Sequence, residues 1–125
     1  MTTNKNIRIM AKAYTEHKDL LYKRMDAAVK LYKSALRFNE ACKTDKKNKN
    51  GGQYLKDQYH RDLALFHAAL EISLIAKTIK MAYGTDLALA FNKQRLQEMN
   101  AAEHFEICRQ FIGLISEVNK QIKFA

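Results

Sequence analysis

The stretch KTDKKNKNGGQ, residues 43–53, decides how the rest of the chain is read. Long runs of helically spaced apolar residues flank it on both sides. Asn48, Asn50, Gly51 and Gly52 are poor helix formers and good turn residues, so the first run must end here. Two amphipathic helices joined by such a stretch bury their apolar faces only by packing together. The fold class that follows is an all-α antiparallel bundle.

Upstream, one helix is expected over residues 4–43. Ile7, Met10, Tyr14, Leu21, Met25, Ala28, Tyr32, Ala35 and Leu36 recur at spacings of 3, 4 and 7 and define one buried face. Leu20, Leu31 and Phe38 form a second stripe beside it, which suits a helix that meets two neighbours. Downstream, a helix is expected over residues 54–83. It carries Leu63, Leu70, Leu74 and Met81 on one stripe and Leu65, Ile72, Ile79 and Tyr83 on another, a pattern that places it at the centre of a bundle. Gly84 suits a C-cap because it takes positive φ freely, and Thr85 or Asp86 can cap the next helix. In the last third, Phe105, Cys108, Ile112, Ile115, Val118 and Ile122 mark an apolar face, and Asn100 with Glu103 has capping-box spacing. The chain therefore breaks near Met99 to give four helices, or bends there to give three long ones.

Composition agrees with a single globular helical domain spanning residues 1–125, with residues 43–53 as a basic flexible loop. Proline is absent, glycine occurs four times, and an apolar share of 47% with 28% charged residues excludes wholesale disorder. No apolar run reaches the roughly 20 residues that span a bilayer. The opening MTTNKNIRIMAKAY has no secretory h-region, so a cytoplasmic location and no membrane partner are expected. Cys42 and Cys108 lack CxxC or Cys/His spacing and are expected as free thiols.

Charge is the functional lead. The net charge is +9, and residues 1–50 hold 13 Lys/Arg against 5 Asp/Glu, so nearly all the excess lies in the first helix and the stretch after it. At 100° per residue, Lys5, Arg8, Lys12, Lys23, Lys30 and Arg37 project within roughly 60° of one another. Lys43, Lys46, Lys47 and Lys49 prolong that surface. Phosphates need only cations at tolerant spacing, which points to DNA or RNA held without base readout. The same stripe can instead be a solvated face, because Asp19–Lys23 and Asp26–Lys30 have the favoured i,i+4 order. It can also dock an acidic protein. Tyr22 and Tyr54 are the two rings nearest these cations, too few for a base-stacking platform.

His60, His67 and Glu71, with Thr78, share a polar strip on the second helix. Glu71 is expected to be partly buried and to need a partner such as His67 or a lysine. A metal site there would require His104, Glu103 or Cys108 from elsewhere, and neither the ExxH spacing of di-iron bundles nor HExxH is present. No metal or cofactor is expected. Arg61, Asp62 and His67 resemble the Arg–polar–x(4–6)–His signature of the HEPN ribonucleases, which are also helical bundles. The resemblance covers seven residues and implies RNA cleavage by Arg61 and His67 in a dimeric site. It differs from the family in opening the second helix instead of preceding the last one. The residues taken together describe a non-enzymatic nucleic-acid-binding or accessory protein, with an adaptor for an acidic protein partner as the alternative. Assembly into a homo-oligomer would multiply its basic surface.

Overall fold

A computed structural model of the chain describes the backbone of residues 4–124 and the side chains of residues 5–120. It is an all-α bundle built from α1 (Asn4–Glu16), α2 (Lys18–Lys47), α3 (Gly51–Tyr83), α4 (Lys93–Glu98) and α5 (Ala101–Phe124). The antiparallel α2–α3 hairpin is the most extensive pairing, α5 packs across α3 and α1, and α4 lies on α3. Small residues are frequent in the buried faces of the hairpin helices: Ala28 and Ala35 on α2, and Ala64, Ala68, Ala69 and Ala76 on α3, are all buried. Short side chains let two backbones approach closely while retaining the best helix propensity.

The connector is much shorter than residues 43–53. Residues 43–47 belong to α2 and Gly51 and Gly52 to the first turn of α3, which leaves three linking residues, 48–50. Lysine is a good helix former, and Lys46 and Lys47 oppose the negative end of the α2 dipole, so the helix continues through them. Lys49 takes a left-handed φ of 58° that reverses the chain. Asn50 then caps α3 by accepting the Gln53 N–H at 3.3 Å. The first helix is also not continuous. His17 leaves the helical region at φ −125° and ψ 42°, which separates α1 from α2. Just before it, the Thr15 hydroxyl donates to the Ala11 carbonyl at 2.9 Å, a back-bond that bends helices. The Tyr83 hydroxyl donates to Glu16 at 2.8 Å and ties the bend to the far end of α3. Burial and this carboxylate raise the Tyr83 pKa above the ordinary phenol value.

Gly84 closes α3 in the left-handed conformation, φ 69°, as its position predicts. The next helix does not start at Thr85 or Asp86. Residues 84–92 form an irregular strap in which Thr85, Leu87 and Leu89 are buried and Asp86 and Ala88 exposed, an alternation of period two. Asp86 accepts the Ala88 N–H at 2.8 Å, a local turn in place of a helix cap. Buried Ser73 pins the strap to α3: its hydroxyl accepts the Phe91 N–H at 2.7 Å and donates to the Phe91 carbonyl. Asn92 caps α4. The break at Met99 is present, and Asn100 and Glu103 form a reciprocal capping box, Glu103 N–H to Asn100 at 2.9 Å and Asn100 N–H to Glu103 at 3.4 Å.

Burial corrects three expectations. Of the two stripes expected on α3, Leu65, Ile72 and Ile79 are fully covered, whereas Leu63 is 42% and Met81 89% exposed, so the second stripe is only partly covered although α3 packs on all four other helices. On α2, Leu20 and Leu36 face outward. On α5 the core face turns to include Ile107, Phe111 and Leu114 beside Cys108 and Val118, while Phe105, Ile112 and Ile115 pack at its edge. Ile122 lies outside the described side chains.

Candidate nucleic-acid interface

The ten predicted contact residues, Lys5, Arg8, Lys12, Lys23, Lys30, Arg37, Lys43, Lys46, Lys47 and Lys49, are all exposed. The bend at His17 divides them between two helices: Lys5, Arg8 and Lys12 lie on α1, which packs mainly on α5, and the others on α2 and its turn. They do not form one straight ridge. Three of the ten have acidic partners. Lys12 is 4.0 Å from Glu16, Lys30 is 2.9 Å from Asp26, and Lys43 is 3.0 Å from Glu40. The hydrogen bond to Asp26 raises the Lys30 pKa above the usual lysine value. The Asp26–Lys30 pair forms as its spacing predicts, and the Asp19–Lys23 pair does not. Lys5, Arg8, Lys23, Arg37, Lys46, Lys47 and Lys49 carry no acidic partner among the described residues.

The second half of the chain behaves differently. Arg61, Lys80, Arg95, Arg109 and Lys120 each lie within 4.0 Å of an Asp or Glu. Cations there are mostly compensated locally, so the field of the first half is left unopposed. At the hairpin tip Lys46, Lys47 and Lys49 stand where the negative end of α2 meets the positive end of α3, so the two helix dipoles offset each other and the positive potential comes from the lysines themselves. Tyr22 is half exposed and its ring meets Tyr14 edge-on at 6.2 Å, whereas Tyr54 is half-buried and its carbonyl accepts from the Cys42 thiol.

Beneath the tip is an acid pair that sequence reasoning did not single out. Asp57, on the first turns of α3, is buried at 8% exposure and accepts from the Gln53 amide at 3.0 Å. Asp45, near the end of α2, hydrogen-bonds to Asp57, while its own Oδ2 is enclosed with no donor in reach. Two carboxyls in contact cannot both ionise cheaply, so the shared hydrogen bond, and then burial, push the Asp45 pKa above its ordinary value of 3.8. The folded chain therefore holds this proton more tightly than the unfolded chain. The stabilisation is fully present below the unfolded pKa and is lost as pH rises through the folded one. Asp45→Asn, which keeps a donor towards Asp57, is expected to raise Tm at neutral pH. The gain over the parent chain should shrink steadily on acidification towards pH values near 4, as thermal melts across a pH series would show.

The histidine strip does not assemble. Glu71 pairs with Arg24 of α2 at 3.1 Å and not with His67 or a lysine. His60 donates from Nδ1 to the Lys56 carbonyl at 2.8 Å and stacks on Phe38 at 5.3 Å, while His67 is exposed beside the Phe66 ring. Thr78 donates to the Leu74 carbonyl. The candidate ligands on α5 are otherwise engaged: buried His104 meets the Leu96 carbonyl at 2.8 Å, and Glu103 serves the capping box. Among the described residues no group of three or more His, Cys, Asp or Glu is placed to hold a metal ion. Cys42 and Cys108 are free and buried, and burial raises both thiol pKa values, that of Cys108 to about 12.

Arg61 and His67 are six positions apart on one helix, which turns them about 120° from each other. The Arg61 guanidinium is bound by Asp62 at 2.9 Å and Asn39 at 3.1 Å and is only 17% exposed. Its fixed role is to bridge α3 to α2. Among the described residues no helix is long and apolar enough to cross a membrane. The chain matches no protein-family model, no curated protein and no solved structure.

Proposed function

We propose that this protein is a non-enzymatic nucleic-acid-binding or accessory protein that holds phosphates on the outward face of α2, the α2–α3 tip and the cations of α1. The observation that carries this reading is the uncompensated set Lys23, Arg37, Lys46, Lys47 and Lys49, with Lys5 and Arg8, in a chain whose later cations are mostly paired with acids. Flexible exposed lysines match phosphate spacing loosely, and few side chains suited to base edges accompany them. Binding is therefore electrostatic and indifferent to sequence. The Arg61/His67 nuclease reading is weakened because the guanidinium is already held by Asp62 and Asn39.

A salt titration with mixed-sequence DNA and RNA tests the proposal. Micromolar binding with log K falling linearly in log salt, at a slope of about −0.9 per phosphate contacted, is the expected result. No binding at low salt would remove the proposal. Low-salt binding confined to acidic proteins would assign the same face to a protein partner.

A further inference from the structure

We infer that the nucleic acid held by this protein is single-stranded, and that its unpaired bases stack on a ring cluster formed across the hairpin by Phe38, His60 and Tyr59. The ligand class rests on the reading of the basic face as a phosphate-binding surface, and adds strandedness to it. Phe38 of α2 and His60 of α3 stack with centroids 5.3 Å apart and planes 21° from parallel, and Tyr59 meets His60 edge-on at 5.6 Å. The His60 ring is held in place, because Nδ1 donates to the Lys56 carbonyl one turn back at 2.8 Å. Half-buried Phe38 backs the cluster from α2, whereas His60 is exposed and Tyr59 is 60% exposed, so ring surface faces solvent. Leu55 and Leu63, a turn to either side of Tyr59, are exposed as well and extend the apolar surface.

The charges around the rings suit a polyanion. Arg37, next to Phe38, and Lys56, one turn before His60, are exposed and have no acidic partner among the described residues. The acids nearby are engaged: Glu40 binds Lys43 at 3.0 Å, Asp62 binds Arg61 at 2.9 Å, and Asp57 is buried. Lys56 lies about 7.5 Å along α3 from its first residue, Gly51, and so leads from the tip lysines to the rings. Cations alone hold a duplex and a single strand alike. Exposed rings beside them separate the two, because a duplex keeps its bases stacked inside and a single strand presents them. Every base has a π-face, so stacking adds affinity without base preference, as the phosphate contacts do. A duplex still binds through the cations, but less tightly.

Fluorescence anisotropy on the intact chain tests the inference with three labelled oligomers of equal length: an oligothymidylate, its duplex with oligoadenylate, and an abasic deoxyribose-phosphate strand. The oligothymidylate should bind on the order of tenfold tighter than either of the others. Tyr59→Ala and His60→Ala, both at exposed positions and checked for unchanged helicity, should each erase most of that advantage and leave the salt slope unchanged. Tyr59→Phe keeps the ring and should keep the affinity. Arg37→Gln with Lys56→Gln should do the opposite, making the salt slope shallower while the preference for the oligothymidylate over the abasic strand persists. Equal affinity for those two strands overturns the inference and leaves the phosphate-binding reading standing. So does parental affinity for the oligothymidylate in both ring-to-alanine variants. A chain that binds none of the three oligomers at low salt removes the phosphate-binding reading and this inference with it.

Discussion

Replacing Phe111 by alanine is expected to destabilise the domain by about 3–5 kcal/mol. Phe111 is 1% exposed and is the largest of the fully buried side chains among the described residues. It sits on α5, the helix that closes the bundle against α3 and α1. Truncation removes its apolar surface from the core and leaves a cavity that the surrounding packed side chains fill only in part. A loss of that size is a large fraction of the roughly 5–15 kcal/mol that holds a domain folded. It should lower Tm by roughly 10–25 °C. Phe111→Leu keeps most of the volume and should cost far less. Urea melts with an unchanged m-value would assign the effect to the native core. A Phe111→Ala chain as stable as the parent would mean that α5 does not close the core in this way.

The largest effect on binding is expected from the hairpin tip. Lys46→Gln, Lys47→Gln and Lys49→Gln together remove three exposed, unpaired cations without placing acids at the C-terminus of α2. If each contacts one phosphate, the salt slope should become shallower by about 2.7, at roughly 0.9 per contact. Affinity at about 0.1 M salt should then fall on the order of 10²–10³-fold, while affinities extrapolated to about 1 M salt converge. Stability should change little, because these side chains are solvated and contribute mainly to the helix dipole. Lys77→Gln with Lys93→Gln is the control. Both are exposed and unpaired but lie on α3 and α4, away from the tip. A loss in the control about two-thirds that of the tip variant, in log units, would show a response to net charge alone. Undiminished binding in the tip variant would move the contact surface elsewhere.

The helical class, the hairpin and the break at Met99 follow from local chemistry that a sequence displays. Asn and Gly residues punctuate the chain, Gly84 takes positive φ, and Asn100 with Glu103 caps α5. The exposure of all ten candidate cations was equally legible, since a charged side chain is left in water unless a partner is supplied. Other features depended on which residues meet in space. Nothing in residues 43–53 revealed that a three-residue turn suffices, because that depends on how closely two alanine-lined helices approach. The strap at residues 84–92 carried a local signal, apolar alternation at Leu87, Leu89 and Phe91, but DLALAF satisfies helical propensity too. Ser73, eighteen residues away, decides the matter by bonding the backbone of Phe91. The acid pair at Asp45 and Asp57, the capture of Glu71 by Arg24 and the open face at Leu55, Tyr59 and Leu63 are likewise relations between chain segments. Apolar periodicity is enough to read a helical bundle, and the distribution of lysines and arginines along the chain is enough to read a basic first half. Which apolar stripe another helix covers and which charges find partners is settled in three dimensions, because burial and pairing belong to two surfaces at once.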